Sequence, residues 1–102
     1  MKTEEIEKRL RRYLNRDRNG LRKELLKVLL SGEKYTTEEI YRILVGKGFN
    51  LNIRGVSAMV GLISARLGIL KVEMGGKNRY YLKEEYGSLV QRVLDEYDRK
   101  NL

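Results

Sequence analysis

With 102 residues and a net charge of +8, from 22 Lys and Arg against 14 Asp and Glu, the chain is large enough for one modest core, and we expect a single domain over residues 1–102. The absence of Cys and His removes disulfides, thiolate metal sites and the commonest general base, so we expect neither an enzyme nor a bound metal or cofactor. No apolar run approaches the length of a membrane span and no signal peptide is visible, which predicts a cytoplasmic location.

The first two predicted elements are helices. Apolar residues recur at helical spacing over residues 4–14: Ile6, Leu10, Tyr13 and Leu14. A run of arginines from Arg9 to Arg18 follows the opposite face and the polar break after it. This run is either a nucleic-acid-binding arm or a solvated helix face. Residues 21–30 form the second predicted helix, with Gly32 as its stop.

The start of the third predicted helix carries two independent signals. Thr36 and Glu39 have the spacing of a capping box, in which each side chain accepts a hydrogen bond from the other residue's backbone amide. Tyr35 can pack on Ile40 as a hydrophobic staple across the same turn. We expect this helix to end at one of the two glycines that follow residue 45.

A short turn over residues 49–52 leads into a fourth predicted helix over residues 53–67, for which Asn52 can supply the cap. One face of this helix is apolar: Val56, Met59, Val60, Ile63 and Leu67. The opposite face carries one cation and several small side chains: Arg54, Ser57, Ala58, Gly61 and Ala65. A long side chain with a donor for a base edge is therefore present only at the start of this face.

The remaining chain predicts a hairpin and a last helix. Residues 69–74 and 79–82 read as strands joined by a Gly-rich tip, Gly75-Gly76-Lys77-Asn78. Ser88 and Gln91 have the spacing of a second capping box. The final helix then has an apolar side: Leu89, Val90, Val93, Leu94 and Tyr97.

Positive charge concentrates on the helix-turn-helix and the hairpin. Residues 40–82 hold seven basic side chains and one acid, Glu73. Phosphates supply much of the affinity of a DNA-binding protein, and an α-helix fits the major groove. This surface predicts a nucleic-acid-binding module whose partner is double-stranded DNA, with RNA as a less favoured partner. The candidate contact residues are Arg42, Lys47, Arg54, Ser57, Ala58, Gly61, Lys77, Asn78 and Arg79.

Three predicted helices are followed by a strand, a hairpin tip and a second strand, and Leu67-Gly68-Ile69-Leu70 joins the last of these helices to the hairpin. This order of elements resembles that of winged helix-turn-helix DNA-binding proteins. The chain is also similar to small archaeal winged-helix proteins of unassigned function. The resemblance covers roughly residues 20–86. It implies an α+β, mostly α fold, in which a three-helix core with a β-hairpin wing occupies residues 19–83. Amphipathic N- and C-terminal helices would lie in the flanking segments, residues 1–18 and 84–102.

The resemblance also implies a function. In winged-helix regulators the recognition helix meets base edges and the wing touches the backbone or the minor groove. On this chain those parts match residues 53–67 and residues 75–79, which would make the protein a transcription regulator. An alternative interpretation uses the small-residue stripe, Ala58, Gly61 and Ala65, together with Leu62, as a docking face for another protein.

A homodimer is expected from the two terminal helices. The three-helix core with its wing is complete without them, so both apolar stripes need cover. Pairing across a two-fold axis would hide the stripes and place two recognition helices at half-site spacing. The predicted interface residues are Ile6, Leu10, Tyr13, Leu89, Val93, Leu94 and Tyr97.

Overall fold

The computed structural model describes residues 3–100, which form an α+β fold that is mostly helical. Five α-helices and one antiparallel hairpin follow each other in the predicted order. The helices are α1 (Thr3–Asn15), α2 (Leu21–Leu30), α3 (Thr37–Gly46), α4 (Ile53–Leu62) and α5 (Gly87–Lys100), and the strands are β1 (Leu70–Glu73) and β2 (Arg79–Leu82).

The predicted starts of α3 and α4 are confirmed by their caps. The Thr36 hydroxyl accepts a hydrogen bond from the Glu39 amide at 3.1 Å, and the Glu39 carboxylate accepts one from the Thr36 amide at 2.8 Å. The side chain of Asn52 accepts one from the Gly55 amide at 2.8 Å. These bonds satisfy amides that have no partner inside a helix. The two helices on either side of the turn therefore begin at fixed residues.

The end of the fourth helix differs from the prediction of one continuous helix to Leu67. The α-helical hydrogen bonding stops at Leu62, and a π-helical turn, Ile63–Leu67, continues the chain. Gly68 then ends the helix with a φ of 66°. This left-handed conformation favours glycine because it has no Cβ.

The predicted capping box at Ser88 is wrong. A short 3-10 segment, Glu84–Tyr86, runs directly into α5 at Gly87, so Ser88 lies inside the helix instead of preceding it. The side chain of Gln91 donates to Asp95 Oδ1 at 2.9 Å. This bond joins residues one turn apart on the helix surface.

The hairpin is joined to the helical part of the chain by a bridge that the sequence did not predict. Within the hairpin, Leu70 pairs with Leu82 and Glu73 pairs with Arg79. Tyr35, which precedes the cap of α3, also pairs with Tyr80 of β2. The Tyr35 amide donates to the Tyr80 carbonyl at 2.9 Å, and the Tyr80 amide donates to the Tyr35 carbonyl at 2.7 Å.

The terminal helices α1 and α5 pack on each other and on α2 of the same chain. Six of the seven residues predicted to form a dimer interface are 7% exposed or less, and the seventh, Tyr97, is half-buried against the core: Ile6, Leu10, Tyr13, Leu89, Val93, Leu94 and Tyr97. The premise that the two stripes lack cover within one chain is therefore wrong. The two stripes cover each other within one chain and leave little apolar surface for a second copy.

The arrangement of α2, α3, α4 and the hairpin is compatible with a winged helix, with α1 and α5 added on one side. Between residues 3 and 100, none of the helices is long and apolar enough to cross a membrane.

Candidate nucleic-acid interface

The outer face of α4 is open to solvent as predicted. Val56 and Val60 are buried against the core, whereas Arg54, Ser57, Ala58 and Gly61 are exposed. The Arg54 guanidinium makes neither a hydrogen bond nor an ion pair with any residue between 3 and 100. All of its donors are therefore free for a ligand.

The face contains no carboxylate from Ile53 to the end of the π-helical turn at Leu67. Ala65 continues the exposed stripe of small residues into that turn. At Gly61, a Cβ atom would meet nothing within 4 Å. Packing among residues 3–100 therefore does not require a glycine at position 61, and the small exposed side chains leave the backbone of α4 accessible to a close partner.

The cations of the hairpin are exposed but already paired. Lys77 Nζ lies 3.1 Å from Glu38 Oε1, and Arg79 Nη1 lies 3.9 Å from Glu39 Oε1. Asn78, between them, is exposed at the tip. Ion pairs this exposed contribute little to stability, so a phosphate can replace the carboxylate. The carboxylates nevertheless lower the positive potential that the sequence predicted for the hairpin.

The two remaining predicted contact cations have carboxylate partners as well. Arg42 Nη2 lies 4.0 Å from Glu38 Oε2, and Lys47 Nζ lies 3.7 Å from Glu24 Oε2. Glu38 therefore lies close to both Arg42 and Lys77. Sequence reasoning missed this because Glu38 precedes the basic segment 40–82 and meets the hairpin 39 residues further along the chain.

Glu39 stays ionised because of its position at the start of α3. The backbone amide of Thr36 donates to the carboxylate and is the main cause that lowers the pKa of Glu39. Desolvation opposes this effect, and the Thr36 hydroxyl, Arg79 and Arg42 lower the pKa further. At Glu73 on β1, the ammonium of Lys34 lowers the pKa of the carboxylate in the same direction. Both acids are therefore charged at neutral pH.

The basic run from Arg9 to Arg18 separates into two environments. Arg11 pairs with Glu96 of α5 and with Glu7, and these hydrogen bonds, the one to Glu96 first, raise the pKa of its guanidinium. Arg9, Arg12 and Arg16 instead line a cleft beside the π-helical turn.

Comparison with known proteins identifies the class of this chain. The family described as a protein of unknown function, DUF2551, matches residues 10–90, so the chain belongs to that family. The chain is also similar to a protein of Archaeoglobus fulgidus that is described as uncharacterized. The two are 64% identical over 94 residues, which cover 92% of this chain and 97% of the relative. No solved structure matches the chain.

Proposed function

We propose that the chain is a winged-helix protein that binds duplex DNA as a transcription regulator, with α4 in the major groove and the hairpin tip on the backbone or the minor groove. The observation that carries the proposal is the outer face of α4. It is exposed, it has no carboxylate, and it begins with Arg54, which has no side-chain partner among residues 3–100. An α-helix with these properties has the shape and charge that the major groove accepts.

The stripe of small residues supports close approach of the helix. Ala58 and Gly61 add almost no side chain beyond the backbone, so the helix axis can lie deep in the groove. The same feature limits direct readout, because Arg54 and Ser57 are the side chains on this face that offer a base a hydrogen-bond donor. We propose that sequence preference depends mainly on Arg54, and that phosphate contacts supply most of the affinity.

The first experiment is a titration of selected and scrambled duplexes at two salt concentrations. DNA binding releases counterions, so the binding constant should fall steeply with salt. Arg54→Ala should reduce discrimination between the two duplexes by about 1 to 3 kcal/mol if Arg54 reads a guanine edge. Equal losses on both duplexes would make Arg54 a phosphate contact. Absence of a salt-dependent complex with the wild-type protein would exclude the function itself.

A second experiment tests the hairpin through its acidic neighbour. Glu38→Gln removes the carboxylate that neutralises Lys77 and Arg42. If these cations contact phosphates, the variant should bind every duplex more tightly, and its salt slope should increase by about 1. Glu4→Gln removes the same charge from an exposed site on α1 and serves as the matched control. Equal gains from both variants would show a net-charge effect and remove the hairpin from the interface.

A protein-docking function is the alternative, and one observation favours it. Ile53 and Leu62 flank the small-residue stripe and are 40% and 37% exposed. A stripe of small residues between two apolar side chains also suits a partner helix. The salt titration distinguishes the two functions, because a docking face of this kind would show little salt-dependent affinity for DNA.

A further inference from the structure

A cleft of about 590 Å³ lies between α1, the start of α2 and the π-helical turn after α4. Its volume is within the range of about 300 to 1,000 Å³ that is typical of small-molecule sites. Its lining contains no carboxylate. The charged residues of the lining are five arginines from α1, the turn after it, α2 and the π-helical turn: Arg9, Arg12, Arg16, Arg22 and Arg66.

Among residues 3–100, these five guanidiniums differ from most of the other cations in having no ion pair with an acidic side chain. Among residues 3–100, nine Lys and Arg side chains outside the cleft are ion-paired with Asp or Glu. None of the five arginines of the cleft is paired in this way within the same part of the chain. Like charges gathered in a cleft raise its potential and attract a counter-anion.

The nearby carboxylate of Asp17 is held elsewhere. It accepts hydrogen bonds from the backbone amides of Arg22 and Lys23, at 3.2 and 3.1 Å, and so satisfies the first amides of α2. Among residues 3–100, Asp17 therefore forms no ion pair with an arginine of the cleft.

Two of the guanidiniums are held in position by backbone carbonyls. Arg9 Nη1 donates to the carbonyl of Arg66 at 3.0 Å, and Arg22 Nη1 donates to the carbonyl of Tyr13 at 2.9 Å. Arg22 also lies over the ring of Tyr13, 4.5 Å from its centroid. A guanidinium has five N–H donors, so each of these arginines keeps donors for a ligand while its orientation is fixed. A site whose groups are already ordered loses less entropy on binding.

Two further features of the cleft wall accompany the arginines. The Tyr13 hydroxyl is buried without a hydrogen-bond partner between residues 3 and 100. The wall on the other side is the π-helical turn, which brings Ala65, Arg66 and Leu67 to the cleft. Short π-helical turns occur frequently at functional sites, although they make less regular hydrogen bonds than an α-helix.

We infer that this cleft binds a small ligand that carries two or more phosphoryl groups. Planar guanidiniums match the oxygens of a phosphoryl group with two parallel hydrogen bonds, and several of them together suit an anion of several charges. A concave site between helices can surround a small molecule, whereas the convex outer face of α4 cannot. The inference goes beyond the proposed DNA binding and uses different residues.

The test is calorimetric titration of the full chain with inorganic tripolyphosphate, with sulfate as the weaker anion for comparison. Arg12 and Arg16 make no hydrogen bond or ion pair through their side chains with residues 3–100, so Arg12→Gln with Arg16→Gln should leave the fold intact. This double variant should bind tripolyphosphate at least about tenfold more weakly for each guanidinium removed. Lys71→Gln with Lys100→Gln removes the same charge from exposed sites outside the cleft and should change the affinity little.

Three results would overturn the inference. One is the absence of a one-to-one complex between the wild-type protein and tripolyphosphate, and another is an equal loss in the two double variants. The third is competition: if duplex DNA displaces tripolyphosphate and the cleft variant loses DNA affinity beyond its control, the cleft belongs to a nucleic-acid surface. Failure of DNA binding alone, with tripolyphosphate still bound, would contradict the proposed function and leave this site standing.

Discussion

Replacing Tyr13 with Phe should stabilise the protein, which is unusual for a core substitution. The Tyr13 side chain is 7% exposed, and its hydroxyl has no hydrogen-bond partner among residues 3–100. A buried hydroxyl without a partner costs about 1 to 3 kcal/mol in desolvation. Phe keeps the ring that packs in the core and the contact with the Arg22 guanidinium at 4.5 Å, so we expect a gain of about 1 kcal/mol.

The measurement is guanidinium denaturation followed by circular dichroism, with free energies of unfolding compared at equal slopes. Tyr41→Phe is the control, because Tyr41 is only half-buried and water can solvate its hydroxyl. That variant should change stability by less than about 0.5 kcal/mol. A loss of stability in Tyr13→Phe would refute the reasoning, because it would mean that the hydroxyl has a partner such as an ordered water.

The same substitution should change how stability depends on alkaline pH. Burial is the main cause that raises the pKa of Tyr13 from 10.0 to about 12, with Arg22 opposing it. The unfolded chain therefore loses this proton at lower pH than the folded chain does. The stabilisation from the neutral phenol is complete below pH 10 and falls as the pH approaches 12. The free energy of unfolding falls by up to about 1.4 kcal/mol per pH unit in this range, and the Phe variant lacks this loss. Parallel curves of unfolding free energy against pH for the two proteins would contradict the assignment of the effect to Tyr13.

Two further predictions concern the cap of α3 and the terminal helices. Thr36→Ala removes the acceptor of the capping box and should lower the free energy of unfolding by about 1 kcal/mol, whereas Thr36→Ser should retain most of it; equal losses would assign the effect to the Thr methyl group. Leu94→Ala should lower stability by about 2 to 5 kcal/mol, because Leu94 is 1% exposed in the core. Light scattering should give the same mass for this variant and the wild type while both are folded. A variant mass half that of the wild type would instead support the predicted dimer interface.

Elements defined by local rules could be predicted from the sequence. The starts of α3 and α4 follow from Thr36, Glu39 and Asn52, since each cap forms within three residues. The apolar face of α4 follows from helical spacing. The predicted exposure of Arg54 and Gly61 has the same origin, because a residue opposite a buried stripe has to face solvent.

Features that depend on distant parts of the chain could not be predicted. Glu38 reaches Lys77 across 39 residues, and no local pattern indicates that contact. The pairing of Tyr35 with Tyr80 involves one residue on the helical side, which is too short to produce an alternating strand pattern. The dimer interface predicted from α1 and α5 assumed that their apolar stripes lack cover within one chain, and this assumption is wrong. An amphipathic stripe indicates that cover is needed but does not say which surface provides it.

The arginine cleft could be predicted from the sequence only in part. The run from Arg9 to Arg18 is visible in the sequence, where it indicates either a nucleic-acid-binding arm or a solvated helix face. Arg66 joins it from the π-helical turn, 57 residues after Arg9. Only the fold shows that Arg11, in the middle of the run, turns away to Glu7 and Glu96.

The bridge between Tyr35 and Tyr80 determines how independently the hairpin can move. A two-stranded hairpin alone is marginally stable in water, but here β2 is bonded to the residue before the α3 cap, and Leu70 and Leu82 are buried at its base. Opening the hairpin therefore requires disruption of the core, so hairpin and helices unfold cooperatively. In the proposed complex the spacing between the tip and α4 would then be constant. A protein of this kind can discriminate among duplexes by groove width and deformability, even where its side chains contact few bases.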